Sequence, residues 1–239
     1  WSTSPHHQDY FLGTDDLGRD LGARILYGAR YSLGVGLAVV FFSFILGTAL
    51  GMLAGYFSGW IALLIDWPIT FLLSVPSMLL AIVIVTILGP GLNNAVYAVT
   101  LIALPPFVKL SKALTREEMQ KPYLLLAKTY GVSPTRLMIF HLFPNILSPL
   151  LVQATLTFGQ AILEVAALGF LGLGAQPPEP EWGTMLSDAR IHLESSPWFA
   201  TLPGLCLLLL VASFNLMGEG LQRRSRDGYR QHTSQQGNA

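Results

Sequence analysis

Four stretches of this chain carry no Asp, Glu, Lys or Arg: residues 31–65, 67–108, 137–163 and 195–218. A helix crossing the hydrocarbon of a bilayer needs about 20 predominantly apolar residues. A charge at its centre costs about 2.5–3.5 kcal/mol. Charge-free runs of this length therefore read as membrane spans, and 67–108 has room for two. Only 12% of the residues are charged and 52% are hydrophobic, against about 25% charged in a soluble domain. The expected fold is all-α, a polytopic membrane helix bundle. The net charge is zero, so no basic footprint for nucleic acid exists. Cys206 is the single cysteine. It excludes an intrachain disulfide and reads as a small buried hydrophobe.

Five spans are expected, at Ser32–Phe57, Ile61–Leu88, Asn93–Val108, Asn145–Leu171 and Pro197–Met217. Gly34, Gly36, Gly47, Gly51 and Gly55 recur through the first, as close helix approach in lipid requires; a hinge is the alternative. Pro68 and Pro76 should kink the second span, Asp66 should lie near its interface, and Pro105-Pro106 should interrupt the third. Ahead of the spans, Thr14 can cap a helix whose first turn holds Asp15 and Asp16. Leu17, Leu21 and Ile25 would then share a face suited to the membrane surface.

The one long polar interval between hydrophobic runs is Lys109–Pro144. It reads as two short helices and an elbow. Pro122 suits a first helical position, and Tyr123, Leu126, Ala127 and Tyr130 fall at i, i+3, i+4 and i+7 on one face. Gly131 can stop that helix by taking positive φ. Ser133 then offers an N-cap and Pro134 a second helix start. A helix-turn-helix that reads DNA has the same outline, but the apolar flanks argue against it.

Ala127, Gly131 and Pro144 match the spacing of the cytoplasmic "EAA" loop of ATP-binding-cassette (ABC) importer permeases. Leu125, Leu126, His141 and Phe143 depart from the commonest residues of that loop, a drift that resembles the dipeptide/oligopeptide branch. The stretches Gly13–Asp20 and Arg24–Leu33, and Gly169–Leu186 with its Gln-Pro-Pro-Glu-Pro-Glu-Trp-Gly, also resemble that branch. The similarity runs from Leu12 to about Leu221. It implies the type I importer permease fold, with 1–31 a periplasmic segment bearing the amphipathic helix, 32–221 the permease domain and 222–239 a cytoplasmic tail. A further span lies upstream in that family, which fits a chain that begins at Trp1 without Met.

The resemblance also implies function: translocation of dipeptides or short oligopeptides across the bacterial inner membrane. The implied partners are a homologous second permease, two cytoplasmic ABC ATPases and a periplasmic peptide-binding protein, with membrane lipid around them. Tyr123, Leu126, Ala127, Lys128, Thr129, Tyr130, Gly131, Ser133 and Pro144 would couple the chain to an ATPase. Nickel chelates, haem, glutathione or antimicrobial peptides are alternative cargoes in the same family.

Charge placement gives the sidedness. Residues 109–136 hold Lys109, Lys112, Arg116, Lys121, Lys128 and Arg136 against Glu117 and Glu118, and the tail holds Arg223, Arg224, Arg226 and Arg230. Two spans separate these regions, so both belong in the cytoplasm. The acidic loop 173–196 and the N-terminal segment then fall outside. No G-x-x-x-x-G-K-[ST], H-E-x-x-H, C-x-x-C or G-x-S-x-G occurs. The chain has no motif for its own ATP site, metal centre or hydrolase, and the paired His6-His7 is too little for one. No cofactor is expected here, ATP and Mg belonging to the partner ATPases. A membrane-embedded enzyme lacks its catalytic set. A self-sufficient secondary transporter would need ion-coupling carboxylates within the spans, where only Glu164 and Asp66 qualify. Glu164 lies roughly 28 Å up its span from Asn145 at 1.5 Å per residue. It should line the translocation path with Gln160 or bond a neighbouring permease.

Overall fold

A computed structural model describes Tyr10 and residues 12–236, with side chains as far as Arg223. His6-His7 and the side chains of Arg224, Arg226 and Arg230 lie outside the described residues. Every named element among them is helical. Helix α1 is Leu21–Tyr56, α2 Trp60–Ser74, α3 Ser77–Leu88 and α4 Leu92–Glu118. After the elbow, α5 is Pro122–Thr129 and α6 Pro134–Leu137, followed by a π-helical turn Met138–Leu142, α7 Phe143–Phe170, α8 Trp182–Ala189 and α9 Trp198–Gln236. Four helices are long and apolar enough to cross a membrane, and α2 with α3 makes a fifth if that bent pair is one span.

Three expectations need correction. Helix α1 begins at Leu21, where Asp20 accepts the Gly22 N–H at 2.9 Å, and not at Thr14. The Asp15 carboxylate is the reason. It accepts the backbone N–H groups of Leu17 and Arg19 at 3.0 and 2.8 Å, closing a turn instead of opening a helix. It also pairs with Arg19 and Arg24. Leu17 is left exposed while Leu21 is buried at the head of the span.

The second span breaks at one proline, not two. Pro68 lies inside α2, whereas Pro76 forces Val75 into an extended conformation (φ −103°, ψ 137°) and the axis turns by 100°. The third span is not interrupted: α4 runs through Pro105-Pro106 to Glu118, ten residues beyond the expected end at Val108. Packing overrides the local penalty. Leu104, Phe107 and Val108 around the prolines are buried against the glycine face of α1.

That α1–α4 contact is the axis of the bundle. Gly47, Gly51 and Gly55 fall on one face and meet Phe107, Val108–Ser111 and Thr115 of α4. A Cβ at Gly51 would stand 2.5 Å from the Val108 carbonyl oxygen and 2.7 Å from Ser111 Cβ. The Ser111 hydroxyl donates to the Thr48 carbonyl at 3.0 Å across the same seam. Gly36 instead faces Phe158 and Ile162 of α7. Gly34 has open space around it, so the stripe serves packing at four positions and not at the fifth. Lys112 of α4 also pairs with Asp66 of α2.

At the end of the bundle away from the elbow, the segment after α7 folds back between α1 and α7. The Glu181 carboxylate, 1% exposed, caps α8 by accepting the N–H groups of Gly183 and Thr184 at 2.8 and 3.0 Å. The Ser32 hydroxyl of α1 lies at 3.4 Å, and Trp182 Nε1 donates to the Ile25 carbonyl at 3.0 Å. Burial pushes the Glu181 carboxyl above the usual carboxylate range, partly offset by Gly183, Thr184 and Ser32.

Two outcomes follow. Gly51→Val forces α1 from α4 and should lower thermal stability in detergent, overpacking costing about 1–3 kcal/mol; Gly34→Ala should leave it unchanged. For Glu181 the folded chain holds its proton more tightly than the unfolded one, so the contribution to stability is greatest at acid pH. It falls as pH rises through the raised value. Glu181→Gln keeps an acceptor for the cap and should flatten that slope in the amide-exchange protection of α8; an unchanged slope assigns it to another group.

Candidate functional site

The elbow is built from the ends of two spans rather than from a separate loop. The last turns of helix α4, Lys109–Glu118, still pack against α1 through Ser111 and Thr115, and Lys121, extended at φ −73° and ψ 140°, starts α5 with Pro122 in its first turn. The end of α5 follows from Gly131, at φ +75°. There the Gly131 N–H donates to Lys128 O at 3.1 Å and the Val132 N–H to Ala127 O at 3.2 Å, the pair of bonds that closes a helix on a left-handed residue. Ser133 precedes Pro134 in the expected cap position, but its side chain makes no capping bond.

The second short helix is not separate. Helix α6, the π turn and α7 form one continuous helix, Pro134–Phe170. Pro144 supplies the reason for the widened turn. Without an N–H it cannot bond the carbonyl four residues back, and the neighbouring Phe143 N–H reaches Met138 O, five residues back.

The predicted apolar face of α5 is divided. Leu124, which the periodicity assigned elsewhere, is fully buried and packs with Leu137, Leu142 and Phe107. Ala127 joins that cluster from the predicted face. Leu126 and Tyr130 are 58% and 85% exposed, and Leu125 is exposed beside them. Lys128, Thr129, Ser133 and Pro144 are exposed too, and Thr129 Oγ1 donates to the Leu125 carbonyl at 2.9 Å. One side of α5 is thus anchored, while the other presents apolar and basic side chains to the outside.

Tyr123 is itself 41% exposed, with its hydroxyl turned toward Glu118 and Asn145. It donates to Glu118 Oε1 at 2.6 Å and accepts from Asn145 Nδ2 at 2.8 Å. Asn145 donates as well to the His141 carbonyl at 2.7 Å, and Lys121 Nζ stands 2.7 Å from Glu118 Oε2. Burial, then the bond to Glu118, pushes the phenol up to about 12, so it remains a neutral donor throughout the physiological range. Neither Glu118 nor Asn145 is legible as a site residue in the sequence. The i, i+3 spacing of Glu118 and Lys121 is the only local signal, and it reads as an ordinary surface pair.

Glu164 and Gln160 lie far along α7 from the elbow and are not brought to it. Gln160 is exposed. Glu164 is half-buried, one turn further along, with the hydroxyl of Ser77 at the start of α3 as its polar neighbour. Among the described residues no cluster of His, Cys, Asp and Glu could hold a metal ion.

Residues 47–227 match the family of binding-protein-dependent transport system inner membrane components. The chain is 48% identical over 214 residues to the dipeptide transport system permease protein DppC of Alkalihalophilus pseudofirmus, covering 90% of this chain and 70% of that protein. It is 50% identical over 213 residues to DppC of Escherichia coli K12, covering 89% and 71%. The glutathione transport system permease protein GsiD of Pectobacterium atrosepticum is 40% identical over 213 residues, again 89% and 71%. In fold the chain resembles a chain of the inward-facing MetNI methionine ABC transporter, with a TM-score of 0.65 at 19% identity, covering 85% of this chain and 97% of that one. The chain therefore belongs to the binding-protein-dependent transport system inner membrane components, as a multi-pass permease subunit of the ABC importer type.

Proposed function

We propose that this chain is one permease half of an inner-membrane importer for dipeptides or short oligopeptides, driven by separate ATPase subunits. The observation that carries the coupling part is the two-sided α5: Leu124 and Ala127 fix it to the bundle while Leu126 and Tyr130 stand exposed. Exposed apolar side chains on a short, anchored helix fit a groove of a partner. The cargo class rests on identity, 48–50% to dipeptide permeases against 40% to the glutathione permease.

The remaining partners follow from this reading: a homologous second permease, two ATPases that bind ATP and Mg, and a periplasmic peptide-binding protein. The basic elbow and the C-terminal end of α9 face the cytoplasm, and the acidic segment 173–196 faces the periplasm, by the excess of Lys and Arg. Glu164, with Gln160 one turn away, lines the path and attracts the amino group of an incoming peptide.

Coupling is tested in the importer co-expressed with its ATPases. Tyr130→Ala and Gly131→Val, the latter strained by about 1–2 kcal/mol at positive φ, should leave the permease in the membrane but reduce ATPase co-purification and uptake. Normal values of both would refute the docking role. In the same preparation, with Cys206 replaced by Ala, a cysteine at position 133 should react with an impermeant thiol reagent only from the cytoplasm; labelling from outside would reverse the orientation.

The path is tested with Glu164→Gln. Uptake of a free dipeptide should fall while that of its N-acetylated analogue is spared, using a binding protein that accepts both. Equal loss of the two would assign Glu164 a structural bond instead.

A further inference from the structure

Glu118 and Glu181 are buried carboxylate residues at 8% and 1% exposure, alongside Asp15, whose side chain is 5% exposed and is taken by Arg19 and Arg24. Glu181 is accounted for as the cap of α8. Glu118 caps nothing. It ends α4, and its two oxygens are taken by the Tyr123 hydroxyl and the Lys121 ammonium. The Tyr123 oxygen is in turn the acceptor for Asn145, in the first turn of α7. A single phenol oxygen thus sits between the last residue of one span and the first turn of another, and it belongs to the helix that projects between them. Asn145 also donates to His141 O inside the π turn, so the weakest stretch of the long α6–α7 helix is held by the same chain of bonds.

The apolar anchor of α5 is separate from this chain. Leu124 is buried with Leu137 and Leu142, and it keeps α5 seated whether or not the phenol is present. The hydrogen bonds therefore are not needed to form the elbow. They fix its angle to α4 and α7, because the charge-assisted Tyr123–Glu118 bond at 2.6 Å and the neutral Asn145–Tyr123 bond at 2.8 Å are short and directional while apolar contacts allow sliding.

We propose that Glu118, Tyr123 and Asn145 form a transmission clamp: positioning residues that lock α5 to α4 and α7, so that displacement of α5 moves both spans as one body. This rests on the reading that an ATPase grips the exposed side of α5. Tyr123 is then assigned to the inside of the joint, and Leu126 and Tyr130 to the grip.

The experiment uses the complete importer, permeases with their ATPases, in liposomes with substrate-loaded binding protein, and reads peptide imported per ATP hydrolysed. Tyr123→Phe keeps the ring and drops the hydroxyl. ATPase co-purification should persist while the import ratio falls roughly tenfold or more, since the phenol's bonds to the Glu118 carboxylate and to Asn145 are both lost. Glu118→Gln keeps an acceptor for the phenol and should retain most of the ratio, whereas Glu118→Met should lose it as Tyr123→Phe does. The double variant Tyr123→Phe, Glu118→Met should lose less than the product of the two single losses, as expected when both changes remove the shared Tyr123–Glu118 bond. An unchanged ratio in Tyr123→Phe overturns the clamp. Loss of ATPase association in Tyr123→Phe overturns it too, since the phenol would then serve docking. Tyr130→Ala separates the underlying reading: if that variant keeps full ATPase association, the grip on α5 fails whatever Tyr123→Phe does.

Discussion

The structure depends on how closely α1 can approach α4. In a bilayer the lipid tails are as apolar as the side chains, so helices gain little by hiding leucine from their surroundings. They associate through close packing and through polar groups that find each other. Gly47, Gly51 and Gly55 remove every side chain from one face of α1 over two turns, and α4 lies against the bare backbone, Gly55 meeting Thr115 close to the end of both helices. Other elements are placed on that pair: α7 packs on both, α3 covers α4, and Trp182 of α8 is hydrogen-bonded to the head of α1, while α9 packs on α7 and α8.

Several polar groups in the bundle, such as Ser43 and Thr155, bond back into their own helix, and a few join one helix to another. Ser111 bonds across the α1–α4 seam, and Lys112, one residue on, pairs with Asp66 to bring in α2. The Lys112–Asp66 pair is only partly shielded, and an exposed pair of this kind contributes about 0–1 kcal/mol. Glu181 fastens the returning segment at the opposite end, at a desolvation cost that its three donors repay in part.

Much of this was legible in the sequence. Charge-free runs located the spans because the exclusion of charge from hydrocarbon is a strong, local and composition-level rule. Gly131 and Pro122 located the ends of α5 because backbone geometry leaves few substitutes at those positions. Failures occurred where tertiary context overrode a local preference. Asp15 reads as a first-turn helix residue, but its carboxylate accepts two backbone N–H groups and closes a turn. Pro105-Pro106 read as a break, but α4 is held straight enough by α1 to absorb both. Periodicity assigned α5 one apolar face, whereas the helix needs two, one for the bundle and one directed outward. Leu124 and Leu126 are chemically identical in sequence, and only the presence of Leu137 and Leu142 opposite one of them decides which is buried.

The extent of helix on either side of the elbow also bears on how it works. Lys109–Glu118 and Pro134–Leu142 are not loop but helix, the end of α4 and the turns that run into α7, each packed on the bundle by one side. A helix resists bending far better than a loop, so a force applied to α5 is delivered along two stiff arms. The pliable points are few: the turn between Glu118 and Pro122, the left-handed Gly131, and the π turn ahead of Pro144. The hydrogen bonds of Tyr123 and Asn145 bridge the first and the last of these and leave Gly131 alone unbridged by them. On the proposed reading the elbow is therefore stiff toward both spans and flexible only between its own two helices, the arrangement that lets a gripped α5 adjust its tilt without losing its hold on α4 and α7.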